Sequence, residues 1–125
     1  MKYIYTEKAP KVVGPYSQAI VSNGFIFCSG QIGIDPKIGI LVEGFEKQTH
    51  QVMKNLANVL KEANSDFEHV VKVTVYLADI NEYKQMNEIY GQYFSDHKPT
   101  RAAFAVSNLP AGALIEIEMI AEANK

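Results

Sequence analysis

The first part of this 125-residue chain carries short continuous apolar runs bounded by turn residues, a pattern typical of β-strands. Two short apolar runs, at residues 18–22 and 25–29, are separated by Asn23-Gly24. Because both of these residues tolerate the positive φ of a tight type I′ turn, the pattern predicts a β-hairpin. The segment 30–44 is interrupted by glycine and proline residues, and it predicts a loop with a short strand near its end.

From Phe45 to about Asn64 the period becomes that of an amphipathic helix, whose apolar face carries Phe45, Val52, Leu56, Val59, Leu60 and Ala63. Asn64 is a residue type that readily adopts the left-handed conformation that ends a helix. A second helix is predicted from about Glu82 to Ser95, with Asp79 and Glu82 at the spacing of a capping box. Its apolar stripe is formed by Tyr83, Met86, Tyr90, Tyr93 and Phe94.

Three further strands are predicted at 70–78, 101–107 and 113–122, with a turn at 108–112 between the last two. On the first of them Val71, Val73, Val75 and Leu77 share one side. This order of elements predicts an α+β domain in which two helices pack on one face of a sheet. We expect the uncovered face to carry Thr74, Tyr76, Arg101, Ala103, Ala105 and Glu116. A half-apolar open face of this kind favours self-association.

The charge balance narrows the function classes. Twelve basic and fourteen acidic residues give a net charge of −2, which argues against a nucleic-acid-binding protein with its usual basic stripe. The N-terminus lacks an apolar signal core, and no segment approaches the ~20 apolar residues that cross a bilayer. The single cysteine, Cys28, excludes a disulfide within the chain. We therefore expect one cytoplasmic domain, residues 1–125, without membrane contact.

Arg101 is the first candidate for chemistry, because its planar guanidinium can bind a carboxylate through two parallel hydrogen bonds. The alternative is a surface ion pair at the end of a strand. Glu116 and Glu118 lie on one side of a predicted strand, about 7 Å apart. Such a pair either divides acid and base roles or forms a solvated strand face. Tyr16, in a rigid turn after Gly14-Pro15, either presents its phenol to a ligand or packs.

Ser29, Gly30 and Asn87 are weaker candidates for a ligand-binding site. Ser29-Gly30 ends a predicted strand, and the glycine allows a ligand to approach the backbone closely, although a plain exit to a loop is the alternative. Asn87 lies among the aromatic residues of the second helix and borders a pocket or faces solvent. The histidines have no His or Cys partner at ligand spacing, so no metal site is expected at His50, His69 or His97.

Several fragments together resemble the RidA/YjgF family, also labelled endoribonuclease L-PSP. They follow the family's order and spacing over nearly the whole chain. The fragments are Ala9-Pro10, Gly14-Pro15-Tyr16-Ser17-Gln18-Ala19, Ser29-Gly30-Gln31, Val71-Lys72-Val73-Thr74-Val75-Tyr76-Leu77, Met86-Asn87-Glu88-Ile89-Tyr90, Pro99-Thr100-Arg101, and Leu109-Pro110 leading to Glu116-Ile117-Glu118. Each fragment is weak by itself, and the set is specific.

The resemblance implies a chorismate-mutase-like fold that assembles as a homotrimer, with the sheets facing inward and three sites in clefts between subunits. It implies that Arg101 binds the substrate carboxylate and that Glu116 lies near the attacking water. It also implies that the cleft is lined by Tyr16, Ser29, Gly30 and Asn87. Many members have a cysteine two positions after the arginine, whereas this chain has Ala103, whose backbone is the part expected near the ligand.

The implied activity is the hydrolysis of reactive enamine and imine acids, 2-aminoacrylate and 2-iminobutanoate, to 2-keto acids and ammonia, with Arg101, Glu116 and Tyr16 as the catalytic residues. These compounds already hydrolyse unaided, so positioning and acid–base help suffice, and no cofactor or metal is expected. One alternative is an endoribonuclease or translation inhibitor, against which the acidic balance argues. The other is a non-catalytic carboxylate-binding or chaperone-like protein.

Overall fold

A six-stranded mixed sheet carries two α-helices on one face in the computed structural model, which describes residues 1–124. In chain order the elements are β1 (Lys2–Ile4), β2 (Ala19–Ser22), β3 (Phe25–Ile32), β4 (Ile34–Asp35), β5 (Ile40–Leu41), α1 (Phe45–Glu62), β6 (Val70–Leu77), α2 (Tyr83–Tyr93), β7 (Thr100–Ala105) and β8 (Ile115–Glu122). The strand order is β1-β2-β3-β8-β6-β7, and only β6 and β7 pair in parallel. Strands β4 and β5 form a separate hairpin. The mixed α+β fold is as predicted.

The hairpin predicted around Asn23-Gly24 is confirmed. Strand β2 pairs antiparallel with β3, and Ser22 lies opposite Phe25. Asn23 has a φ of 50° and Gly24 a φ of 82°, as a type I′ turn requires. The backbone conformation of these two adjacent residues therefore determines where β2 ends and β3 begins.

Helix α1 also follows its pattern. Its apolar face is buried against the sheet, and Val52, Leu56, Val59 and Leu60 are completely inaccessible. The helix ends at Glu62, two residues before the predicted position, and Asn64 takes the expected left-handed conformation with a φ of 59°. The Ser65 amide then donates to the Leu60 carbonyl at 2.8 Å, which satisfies an acceptor that the end of the helix would otherwise leave free.

Strands β6 and β8 form the centre of the sheet. Val73, Val75 and Leu77 are buried together with Ile115, Ile117 and Met119. The prediction that Val71 shares this face is wrong, because Val71 is 40% exposed while its neighbour Val70 is buried. The register against β8 shifts between Val70 and Lys72. The extra residue of such a bulge changes which residues of the strand point to the core face, so that Val70 and Val73 lie there and Val71 does not.

Strand β7 requires a second correction. It pairs in parallel with β6, where Arg101 lies opposite Val73, Ala103 opposite Val75 and Ala105 opposite Leu77. Residues opposite one another in register point to the same face. These three residues of β7 therefore point to the helix side and not, as predicted, to the open face. The last two strands are also not neighbours, since β6 lies between β7 and β8.

Helix α2 begins one residue later than predicted, after a single turn of 3₁₀ helix at 80–82. The Asp79 side chain accepts a hydrogen bond from the Asn81 amide at 2.9 Å, whereas the predicted reciprocal bond from the Glu82 side chain is absent. Met86, Ile89 and Tyr90 are its buried residues. Tyr83 was predicted in the apolar stripe, but it is 38% exposed.

Across residues 1–124, none of the helices has the length and apolar character needed to cross a bilayer.

Candidate functional site

A cavity of about 530 Å³ opens between the segment 10–16, the end of β3 and the start of β8. Most of its wall is apolar, with Val12, Val13, Ile32, Ile34 and Pro110 among the lining residues. Its polar wall brings together Tyr16, Ser29, Gly30 and Glu116. Four of the predicted site residues therefore meet in one place, in a largely apolar cavity of the kind that binds small molecules.

The end of β3 is shaped by a bulge. Its register against β8 shifts between Cys28 and Gln31, which places Ser29-Gly30 in the irregular segment. The Ser29 hydroxyl donates to the Ser17 carbonyl at 2.6 Å, and the Ser29 amide donates to the Gln18 carbonyl at 2.9 Å. The hydroxyl proton of Ser29 is thus already used, and its oxygen remains able to accept a hydrogen bond from a ligand.

Gly30 leaves the space that the Glu116 carboxyl group occupies. A Cβ atom at this position would lie 2.1 Å from Glu116 Oε2, which is too close for any real contact, and 3.0 Å from its Cδ. Burial and, to a smaller extent, the negative charge of Glu118 raise the pKa of Glu116 above its ordinary value. A carboxyl group shifted in this direction exchanges its proton closer to neutral pH, as acid–base chemistry requires.

Glu118 lies on the same face as Glu116 and is exposed. It accepts a hydrogen bond from the Tyr76 hydroxyl at 3.1 Å. Burial, this hydrogen bond and the charges of the two glutamates raise the pKa of Tyr76, which therefore stays protonated. The two carboxyl groups consequently differ, since that of Glu116 lines the cavity whereas that of Glu118 is exposed and hydrogen-bonded to a phenol.

The loop that carries Tyr16 is anchored by Gln18, for which the sequence predicted no role. Gln18 is 2% exposed. Its Oε1 accepts from the Thr6 amide at 2.7 Å, and its Nε2 donates to the carbonyls of Thr6 and Pro10 at 3.0 and 3.1 Å. A glutamine at the entrance to an apolar strand was the available signal, because buried amides are hydrogen-bonded. Tyr16 itself is 53% exposed at the rim.

Arg101, the only arginine in the chain, lies against α2 and not in this cavity. Its Nη2 donates to the Tyr83 hydroxyl at 3.1 Å, and its Nη1 lies 3.8 Å from Met86 Sδ. The guanidinium carbon is 4.8 Å from the centre of the Tyr90 ring, within cation–π range. Among residues 1–124 no carboxylate lies within 4 Å of it, which excludes the surface ion pair considered above for that part of the chain.

Asn87 and Ala103 accompany Arg101. Asn87 is exposed, and it follows Tyr83 by four residues and precedes Tyr90 by three, so all three lie on one face of α2. Ala103 shares the face of β7 with Arg101 and packs at the edge of the core. The second group of predicted site residues therefore lies at the contact between α2 and β7.

The two groups lie on opposite faces of the sheet. Arg101 points toward α2, whereas Glu116 alternates with the buried residues Ile115 and Ile117 and so points away from the helices. Strand β6 also separates β7 from β8. One copy of the chain therefore does not bring its arginine and its cavity glutamate to the same ligand.

Metal-binding residue types and the cysteine give no second site within residues 1–124. Within residues 1–124, no set of three His, Cys, Asp or Glu side chains is placed to hold a metal ion. Cys28 is buried, and burial raises the pKa of its thiol to about 12, so that it is protonated and unreactive at neutral pH.

Comparison with known proteins identifies relatives of this chain and a solved structure with the same fold. A sequence model described as Endoribonuclease L-PSP matches residues 6–123. A RutC family protein of Aquifex aeolicus is 52% identical over 97% of this chain and 98% of its own length. The human 2-iminobutanoate/2-iminopropanoate deaminase is 50% identical over 96% of this chain and 88% of its own. A crystal structure of a Yersinia pestis protein of the conserved Rid family has a TM-score of 0.95 at 48% identity and covers 98% of each chain.

Proposed function

The chain belongs to the endoribonuclease L-PSP family, also called RidA/YjgF, and from that premise we propose that it hydrolyses reactive enamine and imine acids to 2-keto acids and ammonia. The proposed substrates are 2-aminoacrylate and 2-iminobutanoate. Over the 121 residues that align with the human deaminase, this chain is 50% identical to it. The reaction needs a group that binds a carboxylate and a group that directs water.

One observation carries the proposal, and it concerns Arg101. The only arginine of the chain is partly exposed, lies on aromatic rings and has no carboxylate partner among residues 1–124. A guanidinium in this state can accept the carboxylate of a small organic acid through two parallel hydrogen bonds. We assign Arg101 to that role, with Asn87 and the backbone at Ala103 beside it.

The attack of water on the substrate is assigned to the residues that line the cavity. Glu116 in its ionised form accepts a proton from a water molecule, and the oxygen of that water attacks C2 of the N-protonated imine to give a carbinolamine. Glu116 then returns this proton to the carbinolamine nitrogen, the C–N bond breaks, and the hydroxyl proton departs with the ammonia as ammonium while the carbonyl of the 2-keto acid forms. Tyr16 orients the nitrogen, while Ser29 and Gly30 form the adjacent wall. Positioning and proton transfer together supply the acceleration this reaction requires.

The site is completed by a second copy of the chain, because Arg101 and Glu116 point to opposite faces of one sheet. We propose a homotrimer whose sheets face inward. The open face supports this arrangement, since Tyr3, Ile20, Phe27 and Ile120 form a continuous apolar row across four neighbouring strands. Tyr3 and Phe27 are 68% and 46% exposed in a single copy, and an exposed apolar surface of this kind is typical of a protein interface.

Arg101→Ala tests the proposal. 2-Iminobutanoate is generated from 2-aminobutanoate by an amino-acid oxidase, and the loss of imine absorbance is followed. We expect the substitution to lower the rate at least about 100-fold, since a charge-assisted bidentate contact is lost. The matched control is Lys84→Ala, which removes an equal charge from the exposed surface of α2 and should leave the rate unchanged. Equal rates for wild type and Arg101→Ala would contradict the assignment.

A further inference from the structure

The guanidinium of Arg101 is held by side chains to which the proposed reaction gives no role. Its Nη2 donates to the Tyr83 hydroxyl at 3.1 Å. The rings of Tyr83 and Tyr90 lie 5.7 Å and 4.8 Å from the guanidinium carbon. Both tyrosines come from α2, about two turns apart, with Met86 between them. The guanidinium therefore packs against one face of α2, and one of its nitrogens is held by a hydrogen bond.

The hydrogen bond leaves enough donors for a ligand. An arginine has five N–H groups, of which one points to Tyr83 and one to the weak acceptor Met86 Sδ. A carboxylate bound side by side uses two more. The contacts with α2 thus orient the guanidinium and leave three of its N–H groups for a ligand.

Orientation matters because an arginine side chain is long and flexible. Fixing a free side chain of this kind when a ligand binds lowers the affinity, and a guanidinium that is already oriented avoids part of that loss. We propose that Tyr83 is a positioning residue, whose hydroxyl orients the Arg101 guanidinium to receive the carboxylate of the ligand. The identity of that ligand rests on the proposed function.

The hydroxyl of Tyr83 can be removed without disturbing the core. Tyr83 is 38% exposed, whereas Tyr90 is 8% exposed and packs in the hydrophobic cluster. Tyr83→Phe keeps the ring over the guanidinium and deletes only the hydrogen bond. Tyr93→Phe is the matched control, because it deletes a hydroxyl from the same helix whose partner is His50 Nδ1 and which lies away from Arg101.

The experiment measures the dissociation constant of 2-ketobutanoate by calorimetry, together with KM and kcat for 2-iminobutanoate. We expect Tyr83→Phe to raise Kd and KM about 3- to 10-fold, as the loss of one hydrogen bond implies. kcat should stay within about 2-fold, because Tyr83 does not touch the reacting carbon. Tyr93→Phe should leave Kd, KM and kcat unchanged, and both variants should keep the wild-type melting temperature within a few degrees.

A double-mutant cycle with Arg101→Lys shows whether Tyr83 acts through the arginine. Lysine keeps the positive charge but has no planar fork for the hydroxyl to orient. In the Arg101→Lys protein, Tyr83→Phe should change Kd by less than about 2-fold, so that the two substitutions are not additive. An equal effect in both backgrounds would mean that Tyr83 acts independently of Arg101, and the inference would be wrong.

The outcomes separate this inference from the proposed function. If the wild type hydrolyses the imine and Tyr83→Phe leaves Kd and KM unchanged, only the inference fails. If the wild type binds 2-ketobutanoate in a Tyr83-dependent manner but hydrolyses no imine, only the deaminase function fails. A wild type that neither binds 2-ketobutanoate nor hydrolyses imine overturns both.

Discussion

Glu116 and Arg101 are held in place by different kinds of contact. Around Glu116 the constraint comes from the backbone, with a bulge in β3, a glycine that leaves room for the carboxyl group, and a loop fastened by Gln18. Around Arg101 the constraint comes from side chains, with a tyrosine hydroxyl and two rings on one helix. A group that transfers protons needs a fixed environment, whereas a group that binds an anion needs orientation and access.

The separation of these two regions predicts that inactive variants complement each other. Arg101→Ala and Glu116→Gln should each lower the imine-hydrolysis rate at least about 100-fold when purified alone. If each site takes its arginine from one copy and its glutamate from the neighbour, co-refolding the two variants at equal amounts restores about one quarter of the sites. The measurement is the imine-hydrolysis rate of the mixture against that of refolded wild type.

Mass measurement by light scattering accompanies this experiment and should give three times the 13.9 kDa of one chain. Mixing the purified variants without unfolding provides the baseline before subunits exchange. A mixture that stays as inactive as its components after refolding would show that both residues must come from the same copy.

Gly30→Ala should disturb the glutamate region alone. The new Cβ would lie 2.1 Å from Glu116 Oε2, and the flexible end of the glutamate can move aside, so the fold should survive. Because displacing a catalytic group by about 1 Å can cost about 100-fold, we expect the rate to fall about 10- to 100-fold. The Kd of 2-ketobutanoate should change less than about 3-fold, since Arg101 is untouched.

Gly91→Ala is the control for this substitution, because no atom outside its own helix and chain neighbours lies within 4 Å of the added Cβ. It should leave both the rate and Kd as in the wild type. An unchanged rate in Gly30→Ala would mean that the position of the Glu116 carboxyl group is not important for the reaction.

The smallest expected effect concerns pH. Glu116 accepts a proton only when ionised, so the rate should fall as pH decreases through its raised pKa. Glu118→Gln removes the neighbouring negative charge and lowers the pKa of Glu116, although burial still holds that pKa above the ordinary value. The acid limb of kcat/KM should therefore move to lower pH, which a pH–rate profile measures.

Glu122→Gln is the matched control for Glu118→Gln. Glu122 lies on the same face of β8 but about 20 Å along the strand from Glu116, and its removal should leave the profile in place. A Glu118→Gln profile that coincides with that of the wild type would show that the charge of Glu118 does not influence the proton exchange of Glu116 during the reaction.

Features that depend on neighbouring residues were predictable from the sequence. Asn23-Gly24 and Asn64 impose their own backbone conformations, so that the turn lies at the predicted residues and helix α1 ends within two residues of its predicted end. Alternation within one uninterrupted strand likewise places Glu116 and Glu118 on a common face. In each case the deciding interactions lie within a few residues.

Features that depend on distant pairing were not predictable in this way. The face to which Arg101 points is determined by its register against Val73, which is 28 positions earlier and on the far side of a helix. An isolated strand pattern gives two sets of residues but does not say which set faces the core. The contact between Arg101 and Tyr83 was not predicted for the same reason. Tyr83 fits the apolar period of the helix, and that period does not show which distant residue it contacts.

Cys28 has a practical consequence for the study of assembly. It is the only cysteine of the chain, and with its thiol buried and its pKa at about 12 it should not react with maleimides in the native protein. A cysteine introduced on the exposed surface, such as Lys37→Cys, would carry the single dye of each copy. Protein labelled with a donor dye would then be mixed with protein labelled with an acceptor dye. The rise in energy transfer would measure the rate at which subunits exchange between oligomers.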